Sequence, residues 1–393
     1  MNDQDGNDLT PGIAPTKVTH EEPAVDRGFK GWHKPRKQWV RNEQWSKETE
    51  ALISRLRLDG RPLRYLSLPG EDMLDVRVLA DLCRKKDLKL KCLGFNDEAR
   101  DRASQTEVNV SWNEVSNNIE LSSTLLLDNI SVLSNLRSHA FTYVRDIGPF
   151  DIINLDLCSS ISCVEQPGHH EALKNLCEYQ INFSREPWLL FLTSRAEYSQ
   201  VNMDHLHHYL ERLKDNAERF TAFGSRLTEI TGLELSTLGA NPGLPLESFA
   251  GCGFVKLFAA GFGKWLLGLK ANAVWKAEML DGCWYRVENN QTCDSFPNML
   301  SLAFCFTPVH ASMRDASGLT CTNPEQRIDE LSLAMRVLDK TNSFIDLDLE
   351  LDRNRPLFSQ LVTESASLLR SARYRTDDYA GWAEAKMIHF QVN

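Results

Sequence analysis

The sequence lacks four things: a C-x-x-C pair among its ten cysteines, a long unbroken apolar run, a Gly-Lys-Ser/Thr phosphate loop and an excess of basic charge. A bilayer span needs about 18–20 consecutive apolar residues. The most apolar region, Phe254 to Leu269, is interrupted by Lys256 and Lys264, so no membrane segment is expected. The opening Met1-Asn2-Asp3-Gln4-Asp5 has neither a basic nor an apolar stretch, so no secretory signal is expected. Cys92, Cys158 and Cys305 lie within apolar runs and read as reduced, buried thiols. A cytoplasmic protein is the expectation. The formal net charge of −10 argues against non-specific coating of nucleic acid.

What is present is a chain of 393 residues with 42% hydrophobic content, ample for one large α/β domain with additions or for two domains. Leu63 to Leu68 is a short apolar run suited to a buried parallel strand, and Pro69-Gly70 stops it. Asp72 is a fair N-cap for a helix carrying Met73, Val76, Leu79, Leu82 and Cys83 at three- and four-residue spacing. Leu88 to Phe95 reads as a second strand, with Asn96, Asp97 and Glu98 at its carboxyl end. In open α/β sheets, ligands bind outside the carboxyl ends of strands. A glycine turn after one strand and an acid after the next suits an adenosine. Further strands are expected at Phe150–Leu157, ending near Asp156, and at Trp188–Thr193. Between the second strand and Phe150, Val108 to Trp112 alternates like a strand, Ile119 to His139 reads as mainly helical and Phe141 to Val144 as a short extension. Trp275–Leu280, Asp281-Gly282 and Cys283–Glu288 carry a two-residue hairpin signal, followed by a strand over Met299–Val309.

This order of turn, acid and acidic fourth strand resembles the class I S-adenosylmethionine-dependent methyltransferases over roughly Leu63 to Val309. The resemblance implies a Rossmann-like, doubly wound, mostly parallel sheet with a late antiparallel hairpin. It implies S-adenosylmethionine as cofactor, with Leu68, Pro69, Gly70 and Glu71 under its methionine moiety and Asn96 and Asp97 at its ribose. Asp156 would line the methyl end as the catalytic residue. The family's first loop usually carries several glycines, whereas Gly70 stands alone here. The Asn/Asp-Pro-Pro-aromatic motif of amino-methylating members is replaced by Asn154-Leu155-Asp156-Leu157. The alternative reading is a methyltransferase-like binding or assembly subunit without catalysis.

Outside that unit, residues 1–26 read as a disordered acidic tail. Residues 27–62 form a basic aromatic segment and a helix from Ser46 to Leu58; residues 63–310 form the α/β domain, and 311–393 a C-terminal helical extension. Arg27 to Arg41 holds six basic residues and no acid. Lys30, Trp32, Lys34, Arg36, Lys37, Trp39 and Arg41 interleave charge with aromatic rings, which suits nucleic-acid phosphates and bases. Packing on the main domain and docking on an acidic protein partner are the alternatives. A third is contact with Asp346 to Asp352, where acid and leucine alternate like one face of a strand. Arg195 is placed to meet a phosphate or carboxylate, and His169 and His170 stand at a helix start. Asp204, His205 and His208 share a helical face that reads as solvated, so no metal site is expected. The glycines of Leu246 to Lys270 read as close-packing residues of a buried helix.

Overall fold

The computed structural model describes residues 27–97, 102–166, 168–233, 252–270, 275–287, 295–309 and 329–390. Its centre is a mixed, mostly parallel sheet of nine strands: β1 (Leu63–Ser67), β2 (Leu90–Phe95), β3 (Thr124–Leu126), β4 (Ile152–Asp156), β5 (Trp188–Arg195), β6 (Trp275–Met279), β7 (Cys283–Tyr285), β8 (Met299–Pro308) and β9 (Ile345–Asp346). Their order is β3-β2-β1-β4-β5-β8-β7-β9, with β6 also on β8. The strands from β3 to β5 run parallel, and β8 runs against β5.

The register explains why both faces are buried. Side chains alternate along a strand. Leu93, Leu66, Ile153, Leu190 and Phe304 lie in one row across five strands and belong to one core. One residue back, Cys92, Tyr65, Ile152, Leu189 and Cys305 form the opposite row and belong to another. The first core is closed by the helices His139–Ile147, Gly168–Phe183, Met203–Arg219 and Cys252–Leu267. The second is closed by Leu74–Lys85 and Arg102–Ser116 together with the helical run from Pro35 to Ile53. A third cluster joins Phe358, Leu361, Tyr374 and Tyr379 to Phe29 and Trp32, so both ends of the described chain pack on each other.

Several local expectations are corrected. Val108–Trp112 is helix, within Arg102–Ser116. Ile119–His139 is not mainly helical: it contains β3 and a 3-10 turn at Ile130–Ser134. Phe141–Val144 lies inside the His139–Ile147 helix, capped by Ser138. Asp346–Asp352 is not a strand beyond Asp346, which caps the helix Leu347–Arg353 by accepting the Leu349 N–H. The same leucines that alternate also recur at i, i+4, and Leu347 and Leu351 are both buried. Ser46 caps nothing: Pro35–Trp39, a π segment Val40–Ser46 and Lys47–Ile53 run on without a break. Nor does Asp72 cap its helix; the cap position is Met73, in the left-handed region at φ 53°.

Asp281-Gly282 is not a hairpin turn. β6 and β7 pair in succession with β8, Met279 opposite Phe304 and Cys283 opposite Ser301. Three residues on one side face two on the other, which is a bulge in one long strand. Gly282 is needed there because a Cβ would lie 2.6 Å from the Phe344 ring. The late antiparallel pair is real, but its partners are β8 and the β6–β7 strand. The glycines of Cys252–Leu267 do pack closely: a Cβ on Gly261 would meet Tyr209 at 2.8 Å and one on Gly263 would meet Val337 at 2.8 Å. The expected acidic tail 1–26, Glu98, Gly251 and all of 311–328 lie outside the described residues. Among the described residues, no helix is long and apolar enough to cross a membrane.

Candidate functional site

A cavity of about 320 Å³ opens at one end of the sheet, at the lower end of the range of about 300–1,000 Å³ usual for small-molecule sites. Parallel pairing brings the carboxyl ends of β1, β4 and β5 together, and antiparallel pairing sets Met299 and Tyr285 beside Arg195. Leu68, Gly70 and Met73 come from the loop after β1, Asp75 from the first turn of the Leu74–Lys85 helix, Asp156 and Leu157 from the end of β4 and the residue after it, and Thr193 and Arg195 from β5. The remaining wall is the basic segment: Trp32, Arg36, Lys37, Arg41 and Trp45.

The segment is held there by acids far away in sequence. Arg36 Nη1 lies 2.6 Å from Asp348 Oδ1, both buried, which realises the contact with the acidic stretch. Lys37 Nζ lies 2.5 Å from Asp156 Oδ1 and over the Trp45 ring. Lys30 pairs with Glu71. Arg36, Lys37 and Arg41 are only 5%, 6% and 4% exposed, so their charges face the interior. Lys30 and Lys34 are the less buried basic residues; burial and the neighbouring Arg36 bring Lys34 down to about 8. Trp39 is half-buried and packs between the second and third clusters.

Asp72 is the floor's anchor. It accepts from His33 Nε2 at 3.0 Å, from the Tyr374 hydroxyl at 3.1 Å and from Arg27 at 3.4 Å. His33 Nδ1 accepts the Lys30 N–H, which fixes the proton on Nε2. Burial holds His33 below its ordinary value, so it serves as a neutral donor. For Asp72, burial pushes upward, but the His33 hydrogen bond, with Arg27 and Tyr374, outweighs it and holds the carboxyl low. Asp75 differs: burial pushes it up, and its Oδ2 accepts from the Tyr65 hydroxyl at 2.8 Å and from Ser67. Tyr65 in turn accepts from Asn154. Two carboxyls three residues apart thus have opposite tendencies, an arrangement often found where proton chemistry occurs.

The strand tips are only partly assembled as the sequence suggests. Leu68, Gly70 and Asp156 line the cavity; Pro69, Glu71, Asn96 and Asp97 do not. Asn96 Nδ2 instead donates to the Pro69 carbonyl at 2.8 Å, tying the β1 loop to the β2 tip. Asp97 accepts from Asn129. The left-handed residue of the loop is Met73, not Gly70; a non-glycine residue held there marks a constrained site. Arg195 reaches the cavity while donating to the Cys158 carbonyl and facing Glu197. His169 bonds Asn129, and His170, which burial pushes down to about 3, stacks on His205 and Trp265. Neither lines the cavity. Among the described residues no group of side chains is arranged to hold a metal.

The model of one family covers nearly the whole described chain: that of the PP_RS20740-like proteins matches residues 26–384. The chain belongs to the PP_RS20740-like family. The match begins at the segment that walls the cavity and runs through the C-terminal helices that hold it. The family's description names no reaction. A search of curated proteins finds no match.

Sequence reasoning missed Asp72, Asp75, Trp45, Thr193 and Tyr285 as site residues. Asp72 read as a helix cap, an ordinary use of an acid at that position, and Asp75 was not singled out. Tyr285 sits on a strand whose partner was misassigned. The signal that was present, a basic segment rich in tryptophan, pointed to a site without revealing that it faces inward.

Proposed function

We propose that the chain is a Rossmann-like protein that binds S-adenosylmethionine at the strand-tip cavity and transfers its methyl group to a small acceptor. The observation that carries this reading is Asp156 on the cavity wall at the β4 tip, opposite the β1 loop. The strand order, with one antiparallel strand beyond β5, supports it as the arrangement the resemblance implies. The wall also fits a sulfonium. It offers the carboxyls of Asp75 and Asp156; the rings of Trp32, Trp45 and Tyr285 already attract Lys30, Lys37 and Arg36.

Bound S-adenosylmethionine supplies an electrophilic methyl group. The protein's part is positioning. Leu68 and Gly70 form the surface beneath the methionine portion. Asp156, held by Lys37, accepts a hydrogen bond from the acceptor and fixes its orientation. Asp75, hydrogen-bonded by Tyr65 and Ser67, is the buried carboxyl available to take a proton. Seating the ribose on Asn96 or Asp97 requires the Asn96–Pro69 hydrogen bond to open.

That bond favours a second reading: a methyltransferase-like binding subunit in which the nucleoside end is closed and catalysis is absent. An acidic protein or nucleic-acid partner then meets the outer face of residues 27–41 through Lys30 and Lys34. Mass spectrometry of the purified protein distinguishes the two. Co-purifying S-adenosylmethionine or S-adenosylhomocysteine supports the enzyme; its absence, with no methyl-donor consumption on incubation, supports the subunit.

A further inference from the structure

We propose that Arg41 anchors an oxyanion, a carboxylate or phosphate group carried by a small molecule bound at the basic wall of the strand-tip cavity. On the methyl-transfer reading this molecule is the acceptor, but the anion site itself does not depend on that reading.

Each other cation on the cavity wall has an acid: Arg36 has Asp348, Lys37 has Asp156, and Arg195 has Glu197. Arg41 is 4% exposed and has none among the described residues; its one hydrogen bond runs from Nη2 to the Trp32 carbonyl at 3.1 Å. Its Nε has no partner. A buried guanidinium carries five donors and stays protonated. Leaving such a charge buried without a counter-ion is expensive. The fold nevertheless places it there, on the π segment Val40–Ser46, a helical irregularity often found at functional sites.

Two further donors on the same wall are also unpartnered. Trp45 Nε1 and the Tyr285 hydroxyl are buried, in residues 1% and 2% exposed, and make no hydrogen bond among the described residues. Asp75 and Asp156 act on Arg41 through space, but Asp75 spends an oxygen on Tyr65 and Ser67, and Asp156 is held by Lys37. Asp156 and Tyr285, both among the groups acting on Arg41, belong to β4 and β7, away from the β2 tip. The planar fork of an arginine suits carboxylate and phosphate.

The test is calorimetric titration of the full chain with inorganic phosphate and with succinate at low salt, beside thermal unfolding of Arg41→Met and Arg41→Lys. The expected result is saturable binding of at least one anion, with the two probes reporting which group is preferred. Arg41→Met should weaken it by roughly 10- to 100-fold, the weight of one charge-assisted hydrogen bond, and Arg41→Lys by less. Without anion, Arg41→Met should melt no lower than the native chain, because it removes an uncompensated charge. No saturable binding of either anion by the native chain overturns the proposal, as does equal binding by Arg41→Met. Failure of S-adenosylmethionine to bind while the anions still do leaves this site standing and removes the methyl-transfer reading alone.

Discussion

Replacing Asp72 with alanine should loosen the cavity at its anchor. The carboxylate is 1% exposed and receives three donors, Arg27 and His33 from the N-terminal segment and Tyr374 from the C-terminal helical region. Truncation leaves the His33 N–H and the Tyr374 hydroxyl buried without acceptors, at about 1–3 kcal/mol each. It also removes one of the two acids beside Arg27, while Glu107 remains at 3.2 Å, so this loss adds about 1 kcal/mol. These losses overlap, so the expected destabilisation is about 3–5 kcal/mol, a large share of the roughly 5–15 kcal/mol of a typical domain. Asp72→Asn keeps the shape and one acceptor and should cost about 1–3 kcal/mol. Tyr374→Phe removes a single donor and should cost about 1 kcal/mol. The assay is equilibrium urea unfolding followed by tryptophan fluorescence, comparing midpoints at constant slope. The pH dependence follows from the direction of the shift. Asp72 is held below its ordinary value in the folded chain. Its stabilisation is therefore present above the unfolded carboxyl value of about 3.9 and is lost as the pH falls through the folded value. The native chain should lose this contribution in acid, and Asp72→Asn should show a shallower acid limb. A loss under about 1 kcal/mol for Asp72→Ala, or identical acid limbs, would refute the reasoning.

Two other expectations concern how the elements are held. In a double-mutant cycle, Arg36→Met and Asp348→Ala should each cost about 3–5 kcal/mol and the pair much less than their sum; additive losses in urea unfolding would show that the 2.6 Å contact carries no coupling. Gly261→Ala should destabilise by about 1–3 kcal/mol through overpacking on the fully buried Tyr209, offset in part by about 1 kcal/mol of helix preference. Gly381→Ala, where a Cβ meets nothing within 4 Å, should raise the melting temperature instead.

The strands were legible where they are buried on both faces. Leu63–Leu68, Phe150–Leu157 and Trp188–Thr193 are continuous apolar runs, and a parallel strand covered by helices needs that pattern. Segments with mixed uses misled. Asp281-Gly282 has the composition of a tight turn, but its glycine serves a close approach to Phe344. The Asp346–Asp352 repeat satisfies both a strand and a short helix, and Asp346 as a cap decides for the helix. The site was half legible. Strand-tip logic placed Leu68, Gly70 and Asp156 together. It did not foresee that the Asn96 side chain spans to Pro69, because a two-residue hydrogen bond across strands leaves no trace in spacing. The inward turn of residues 30–41 was open among several readings, because the acid that buries Arg36 lies 312 residues away. A basic run reads as a solvated face until such a distant partner is known.

On the proposed reading, the cavity bounded by the β1 loop, Asp156 and the inward-facing basic segment takes S-adenosylmethionine. Isothermal titration of the folded chain with that compound tests it most directly. The expected result is a saturable heat that S-adenosylhomocysteine competes away and that Asp156→Ala diminishes. No heat at millimolar ligand, from protein that still unfolds cooperatively in urea, would contradict it.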